Sequence, residues 1–131
     1  MIAQGIAVGI GAALGALLRW RLGALLNPVF PTIPFGTLAA NLLGGLLAGV
    51  CLEYFSRNAA VPPEFRLAAT TGFLGGLTTF STFSAETATL LLRRDWFWSA
   101  ALIGLHLIGS VVLTLTGVYA VRLLAGMRVT A

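Results

Sequence analysis

The sequence has few charged residues, a single cysteine and no lysine. Aspartate, glutamate, lysine and arginine make up 9% of its 131 residues, whereas a soluble domain carries about 25%. With 58% hydrophobic residues and a mean hydropathy of +0.96, the composition predicts an integral membrane protein with very little mass outside the membrane. The lone Cys51 excludes an intramolecular disulfide and a cysteine metal site. Nothing in the small arginine excess suggests a surface for nucleic acid, so we expect no nucleic acid partner.

Four apolar stretches are each long enough to cross the hydrocarbon core of a bilayer, which takes ~20 helical residues. They run over residues 2–26, 35–55, 65–92 and 97–124. Because the loops between them are short, neighbouring helices should be antiparallel. We therefore predict an all-α integral membrane protein, a single domain of four transmembrane helices over residues 1–131, with both termini on one side.

The third stretch has a polar, glycine-rich centre, which reads GGLTTFSTFSAE over residues 75–86. Unpaired polar groups in hydrocarbon are costly, so this segment must face protein or a water-filled path. Paired glycines followed by threonines also form a weak helix. We predict that the third helix breaks near residues 75–79 at mid-membrane depth and restarts near Phe80, which frees carbonyls and amides to bind ions. A kinked helix whose hydroxyls bond to their own backbone is the alternative.

Two sets of residues recur every four positions, each on one face of a helix. In the second stretch they are Thr37, Asn41 and Gly45, and in the fourth they are the polar residues His106, Ser110 and Thr114. Beside Ser81 and Thr82 of the third stretch, they resemble the walls of a polar track. Asparagine and hydroxyl groups supply donors, which suit an anion that loses its hydration shell. The alternative is that Asn41 and His106 only hydrogen-bond to neighbouring helices.

Phe80 and Phe83 are three residues apart and share one face of the restarted helix. Both fit ordinary packing, but the edge of an aromatic ring carries the positive part of its quadrupole and can face an anion. Such weak ligands suit a pore that must bind and release its ion quickly. We expect Glu86 to be the only acid inside a span, either as a proton or cation site or as a hydrogen-bond anchor.

The basic residues are divided evenly between the two predicted sides of the membrane. Four arginines lie on the side of the termini and four on the opposite side: Arg57, Arg66, Arg122 and Arg128, against Arg19, Arg21, Arg93 and Arg94. The positive-inside rule orients membrane proteins by such a bias, and here there is none. We therefore predict that the chain inserts in both orientations and that opposed copies pair. Burial of Arg19 and Arg122, which would remove them from the count, is the alternative.

Three segments together carry a resemblance to a known family. The third-stretch sequence GGLTTFSTFSAE, the segment NLLGGLLAG and the segment GALLRW closely resemble the Fluc/CrcB family of bacterial fluoride channels, over essentially the whole chain. The resemblance implies an antiparallel, dual-topology homodimer with two fluoride pores. Its implied partners are fluoride, sodium, a second copy of the chain and membrane lipid.

The resemblance also implies roles for individual residues. Phe80 and Phe83 would be the pore phenylalanines and Asn41 the pore asparagine. Other residues would lie along or beside the fluoride path, or at the aqueous vestibule: Ser81, Thr82 and Glu86, with Arg19 at the vestibule. The backbone carbonyls of Gly75 and Thr78 would hold a structural sodium ion at the dimer interface. The fourth-helix track varies within the family.

The function implied is passive export of fluoride through the bacterial inner membrane, by a multi-pass channel that relieves fluoride toxicity. Hydrogen fluoride enters as a neutral molecule and dissociates in the less acidic cytoplasm, and the membrane potential then drives the anion out. Three alternatives remain. A small proton-coupled multidrug exporter would use an intramembrane carboxylate, but the first stretch has no acid. A non-transporting membrane subunit and an enzyme are the others, and we expect no enzyme because no nucleophile–base pair appears.

Overall fold

The structure, a computed structural model, describes the backbone of residues 1–129 and the side chains of residues 1–126. Within these residues the fold is helical and contains no strand, as the sequence predicted. The elements, in chain order, are α1 (Ile2–Leu26), a 3₁₀ turn (Asn27–Val29), α2 (Phe35–Arg57), α3 (Pro63–Leu67), a π-helical segment (Ala68–Leu74), α4 (Gly75–Leu77), α5 (Phe80–Leu92) and α6 (Trp96–Val129).

Three helical segments of the described chain are long and apolar enough to cross a membrane. They cover Ile2–Val29, Phe35–Arg57 and Trp96–Gly126. The third predicted stretch contains helix along most of its length, but it is divided between α3, the π-helical segment, α4 and α5. The bounds of α1 match the prediction, whereas α6 starts one residue earlier than predicted and continues beyond residue 124. The four helical stretches fit a membrane protein.

The predicted break in the third helix is confirmed. Between α4 and α5 the backbone leaves the helical region at Thr78, with ψ of 154°, and at Thr79, with φ of −150° and ψ of 110°. A continuous, kinked helix would keep both residues helical, so that alternative is wrong here. The side chain of Thr79 then caps α5, because its Oγ1 accepts a hydrogen bond from the Thr82 amide at 3.1 Å.

Close packing of helix backbones explains many of the glycines. Gly11 and Gly15 of α1 are buried, and a Cβ on either would collide with the backbone of Ala68 or Phe73 in the third stretch. Gly5 and Gly9 have the same spacing, but a Cβ added to either would meet no atom within 4 Å. Only the second of these small-residue pairs is therefore used for packing within the chain.

Gly49 makes the equivalent close approach between α2 and α6. A Cβ there would fall on the carbonyl oxygen of Thr114, and backbone atoms cannot move aside as a flexible side chain can. We expect Gly49→Ala to lower the free energy of unfolding by about 1–3 kcal/mol, as overpacking does. Gly5→Ala is the matched control, expected to stabilise α1 slightly because alanine favours a helix. Thermal unfolding in detergent measures both, and equal melting temperatures would contradict this packing.

A buried carboxylate ties the ends of α2 and α6 together. Glu53 is 7% exposed; its Oε1 is 2.7 Å from Arg57 Nε and its Oε2 is 3.0 Å from Arg122 Nε. Because Glu53 lies within α2, the prediction that Glu86 is the only acid inside a span is wrong. Arg122 keeps 52% of its side chain exposed, so pairing rather than burial is what offsets its charge. The side chain of Arg128, which entered the arginine count, lies outside the described residues.

Candidate functional site

The amide of Asn41, on α2, pairs with the backbone at the helix break. Its Oδ1 accepts a hydrogen bond from the Thr79 amide at 2.7 Å, and its Nδ2 donates to the Thr79 carbonyl at 3.0 Å. The Asn41 side chain thus gives the buried Thr79 amide the acceptor that it lacks outside a helix, and adds a donor to the Thr79 carbonyl. These two hydrogen bonds link the polar face of α2 to the break.

The break leaves the carbonyls of Gly75 and Thr78 without their usual helical donors. In a continuous α-helix the Thr79 amide would donate to Gly75 and the Thr82 amide to Thr78. The Thr79 amide instead donates to Asn41 Oδ1, and the Thr82 amide donates to Thr79 Oγ1. Gly75 is exposed, and both residues line an open cavity of about 610 Å³. These are uncharged, hard oxygen ligands of the kind that alkali cations accept.

Besides Gly75 and Thr78, five residues that were predicted for the fluoride pore line this first cavity. They are Asn41, Phe80, Phe83, His106 and Ser110. The two phenylalanine rings are in edge contact, with centroids 5.5 Å apart at 63°. They differ in exposure: Phe83 is 7% exposed and Phe80 is 74% exposed. One ring therefore belongs to the packed interior of the chain, while the other stands at its surface.

His106 connects the buried phenylalanine to Asn41. Its ring stacks on Phe83 with centroids 4.6 Å apart, and its Nδ1 is 3.0 Å from Asn41 Nδ2. His106 is 4% exposed, and its Nε2 has no hydrogen-bond partner among the described residues. The histidine thus joins α6 to α2 by a hydrogen bond, as the simpler of the two sequence interpretations held, and still borders the cavity.

The polar residues Ser110 and Thr114 of α6 differ in their surroundings. Ser110 lines the first cavity. Thr114, one turn further, directs its hydroxyl to the carbonyl oxygens of Gly45, at 3.0 Å, and Ser110, at 2.8 Å. A hydroxyl carries one hydrogen, and here backbone oxygens of two helices share it. Thr114 is therefore used to join α2 and α6, and its donor is not free.

A second cavity, of about 420 Å³, lies on the other side of the break. Among its lining residues are three predicted site residues, Arg19, Thr37 and Thr82. The two cavities meet at Thr79, which lines both and is 6% exposed. Thr79 was not among the predicted site residues, although threonine is a preferred N-cap residue where a helix restarts.

The hydroxyl of Thr37 joins the second cavity to a third one. Thr37 Oγ1 donates to Glu86 Oε1 at 2.6 Å, and Glu86 lines a cavity of about 330 Å³ that also contains Arg93 and Asp95. Glu86 Oε2 is buried and has no partner among the described residues. Ser81 is exposed beside the break, and its Oγ is 3.3 Å from Thr79 Oγ1. Thus Glu86 is held by a hydrogen bond, as one of the two predictions for it required.

Comparison with known proteins assigns the chain to a family. The family model described as "CrcB-like protein, Camphor Resistance (CrcB)" matches residues 6–118. The "Fluoride-specific ion channel FluC" of Nitrosospira multiformis is 62% identical over 119 residues, covering 91% of this chain and 93% of that protein. Proteins of the same name from Cupriavidus taiwanensis, 54% identical over 92% of this chain and 95% of the relative, and from Tolumonas auensis, 52% identical over 95% of this chain and 98% of the relative, are also similar. The resemblance carried by the helix break and its flanking segments is confirmed, and the chain belongs to the CrcB-like protein family.

Proposed function

We propose that the chain forms a passive, fluoride-selective ion channel. The observation that carries this proposal is its 62% identity, over 91% of its length, to a protein named a fluoride-specific ion channel. The geometry supports it, because cavities lined by phenylalanine edges, hydroxyls and an arginine are suited to an anion and contain no arrangement for covalent chemistry. Because its family and its similar relatives are ion channels, the protein is a channel and not an enzyme.

The anion passes between the cavities on either side of Thr79. Arg19, in the second cavity, attracts the anion to the vestibule, where its long-range field raises the local concentration. The hydroxyls of Ser81 and Thr82 and the ring edges of Phe80 and Phe83 then replace parts of its water shell. The remaining path is lined by polar groups of α2, α5 and α6: Thr37, Asn41, Glu86, His106, Ser110 and Thr114.

Asn41 and Thr114, like Thr37, whose hydroxyl donates its one hydrogen to Glu86 Oε1, are engaged in ways that limit how they bind fluoride. Both hydrogens of the Asn41 amide are already donated, to Thr79 O and to His106 Nδ1. The Thr114 hydroxyl is likewise taken by backbone oxygens. An anion at any of these residues must therefore displace a hydrogen bond, whereas the Phe80 edge is available without any rearrangement. The phenylalanines are therefore the primary weak ligands, and Asn41 can bind the anion only after one of its hydrogen bonds is broken.

A structural sodium ion occupies the break and is shared by two subunits. Support comes from the Gly75 and Thr78 carbonyls, which have lost their helical donors to Asn41 and Thr79. No charged side chain is among the residues that line the surrounding cavity, so a monovalent, oxygen-seeking cation fits better than a transition metal. Bound there, sodium supplies a fixed positive charge that holds the freed carbonyls together.

The functional unit is an antiparallel homodimer in the bacterial inner membrane. The first cavity is open on the surface of the single chain, and its polar backbone groups cannot face lipid. A second copy covers it, with membrane lipid around the outer faces of both. Because the membrane potential is negative inside, a passive pore of this kind carries cytoplasmic fluoride outward and relieves its toxicity.

The orientation of the copies can be tested directly. We expect single-cysteine probes in the loop after α2 and in the loop between α5 and α6 each to be labelled by a membrane-impermeant reagent from both sides of the membrane, in a Cys51→Ala background. The reason is the even division of arginines, since a chain with no basic bias has no preferred orientation. Labelling of each loop from one side only would show a single orientation and contradict the antiparallel dimer.

Flux from proteoliposomes tests the function. Purified protein in liposomes loaded with fluoride should release it when a potassium ionophore clamps the membrane potential, as read by a fluoride electrode, and chloride release should stay near that of empty liposomes. A proton-coupled exporter makes a different prediction, namely flux that requires a proton gradient and is lost in Glu86→Gln. Fluoride release that is absent, or that depends on a proton gradient, would overturn the channel proposal.

A further inference from the structure

The hydrogen-bond network at the break determines which way the Asn41 amide faces. The Thr79 backbone N–H can only donate, so the atom 2.7 Å from it must be the oxygen of Asn41. The amide nitrogen then lies 3.0 Å from the Thr79 carbonyl, which can only accept. Its second hydrogen points to His106 Nδ1 at 3.0 Å. The amide therefore has no free donor, and each of its bonds has one allowed direction.

The same reasoning assigns the tautomer of His106. Because Asn41 Nδ2 must donate, His106 Nδ1 must accept and carries no proton. In the neutral ring the proton then sits on Nε2, the buried atom without a partner among the described residues. Stacking on Phe83, with planes 29° apart, holds the ring so that Nδ1 stays directed at Asn41.

We propose that His106 is a positioning residue, which fixes the orientation of the Asn41 amide and through it holds the extended backbone of Thr79. Without an acceptor at the Nδ1 position, one amide hydrogen of Asn41 loses its partner in the protein, and the flipped amide would set oxygen against the Thr79 carbonyl. Either result weakens the pairing that keeps the Thr79 amide away from Gly75. The hydrogen bonds of this network are seen in the fold and do not depend on what the protein does. Their effect on ion flux rests on the proposed channel function.

Two substitutions test the acceptor atom and the stacked ring of His106 separately. His106→Asn keeps an acceptor oxygen at the place of Nδ1 but loses the stacked ring. His106→Phe keeps a ring that can stack on Phe83 but has no acceptor. If positioning through Asn41 is the role, the asparagine variant should resemble the original protein and the phenylalanine variant should not; a role in packing alone predicts the reverse.

The first measurement does not involve fluoride. We expect amide hydrogen exchange at Thr79 to become about tenfold faster in His106→Phe, since local opening follows the loss of a hydrogen bond, and to change little in His106→Asn. Thr116→Val is the matched control, because the Thr116 hydroxyl bonds only to its own helix, at Val112 O, and exchange at Thr79 should be unaffected. Nitrogen-15 NMR of the unmodified protein should show an unprotonated Nδ1 and a protonated Nε2 on His106.

The outcomes distinguish this inference from the channel proposal. Protection of Thr79 that survives in His106→Phe, or a proton found on Nδ1, overturns the positioning role even if fluoride flux is normal. Faster exchange with the assigned tautomer supports it even if the protein conducts no fluoride, a result that would overturn only the proposed function. If the channel proposal also holds, flux should fall further in His106→Phe than in His106→Asn.

Discussion

Replacing Phe80 by isoleucine is expected to reduce fluoride flux at least about tenfold, the factor that corresponds to about 1.4 kcal/mol of lost stabilisation along the path. Isoleucine is similarly apolar and branched, but it has no ring edge with a positive potential. Of the two phenylalanines, Phe80 gives the clearer test. Its ring is 74% exposed, so the substitution disturbs little packing within the chain. Flux is measured in proteoliposomes containing equal amounts of folded, dimeric protein.

Phe83→Ile is expected to reduce flux as strongly, but with a cost in stability. Phe83 is 7% exposed and stacks on His106, so its removal also loses packing in the interior. Phe97→Ile is the control, since Phe97 is 73% exposed at the start of α6 and lines neither of the cavities beside the break. Methionine at Phe80 or Phe83 should retain part of the flux, because its sulfur is polarisable. Normal flux from folded Phe80→Ile and Phe83→Ile proteins would show that both rings contribute only to packing.

The features that sequence predicted well are local in the chain. The bounds of α1 and the break at Thr78 and Thr79 depend on runs of apolar residues and on the weak helix propensity of neighbouring glycines and threonines. Each of these signals lies within the segment that it describes.

What the sequence missed depends on partners that are distant in the chain. Asn41 and Thr79 are 38 positions apart, and Asn41 and His106 are 65 apart, so no spacing rule relates them. The periodicity placed Asn41 on a polar face correctly but could not reveal that both of its hydrogens are taken. Thr114 was grouped with Ser110 by spacing, yet the backbone of α2 captures its hydroxyl. The π-helical segment Ala68–Leu74 was not predicted either.

Glu53 illustrates the same limit for charged residues. The predicted second stretch, residues 35–55, contains Glu53, yet Glu86 was predicted to be the only acid inside a span. The burial of Glu53 is stabilised by Arg122, which comes from the other end of the chain. A charge inside a span is tolerated when a partner is supplied by another helix, and that partner is visible only once the helices are assembled.

Removing the hydroxyl of Thr79 is expected to weaken the proposed binding of sodium at the break. The Thr79 Oγ1 accepts from the Thr82 amide at 3.1 Å, and this bond keeps that amide from returning to the carbonyl of Thr78. In Thr79→Val the amide is released and competes with the cation for the same oxygen, while the loss of the N-cap lowers stability by about 1 kcal/mol. Thr79→Ser, which retains the hydroxyl, is the matched control.

If sodium binds the folded protein as proposed, it raises the melting temperature with concentration, because binding to the native state adds to stability. We therefore expect the protein to melt at a higher temperature in sodium than in a large organic cation, with Thr79→Ser behaving in the same way. In Thr79→Val the sodium concentration for half of this effect should rise about tenfold, since the competing hydrogen bond is worth about 1 kcal/mol or slightly more. A lower overall melting temperature with unchanged sodium dependence would mean that Thr79 only caps α5. In that case the carbonyls of Gly75 and Thr78 would owe their freedom to Asn41 and the glycine pair alone.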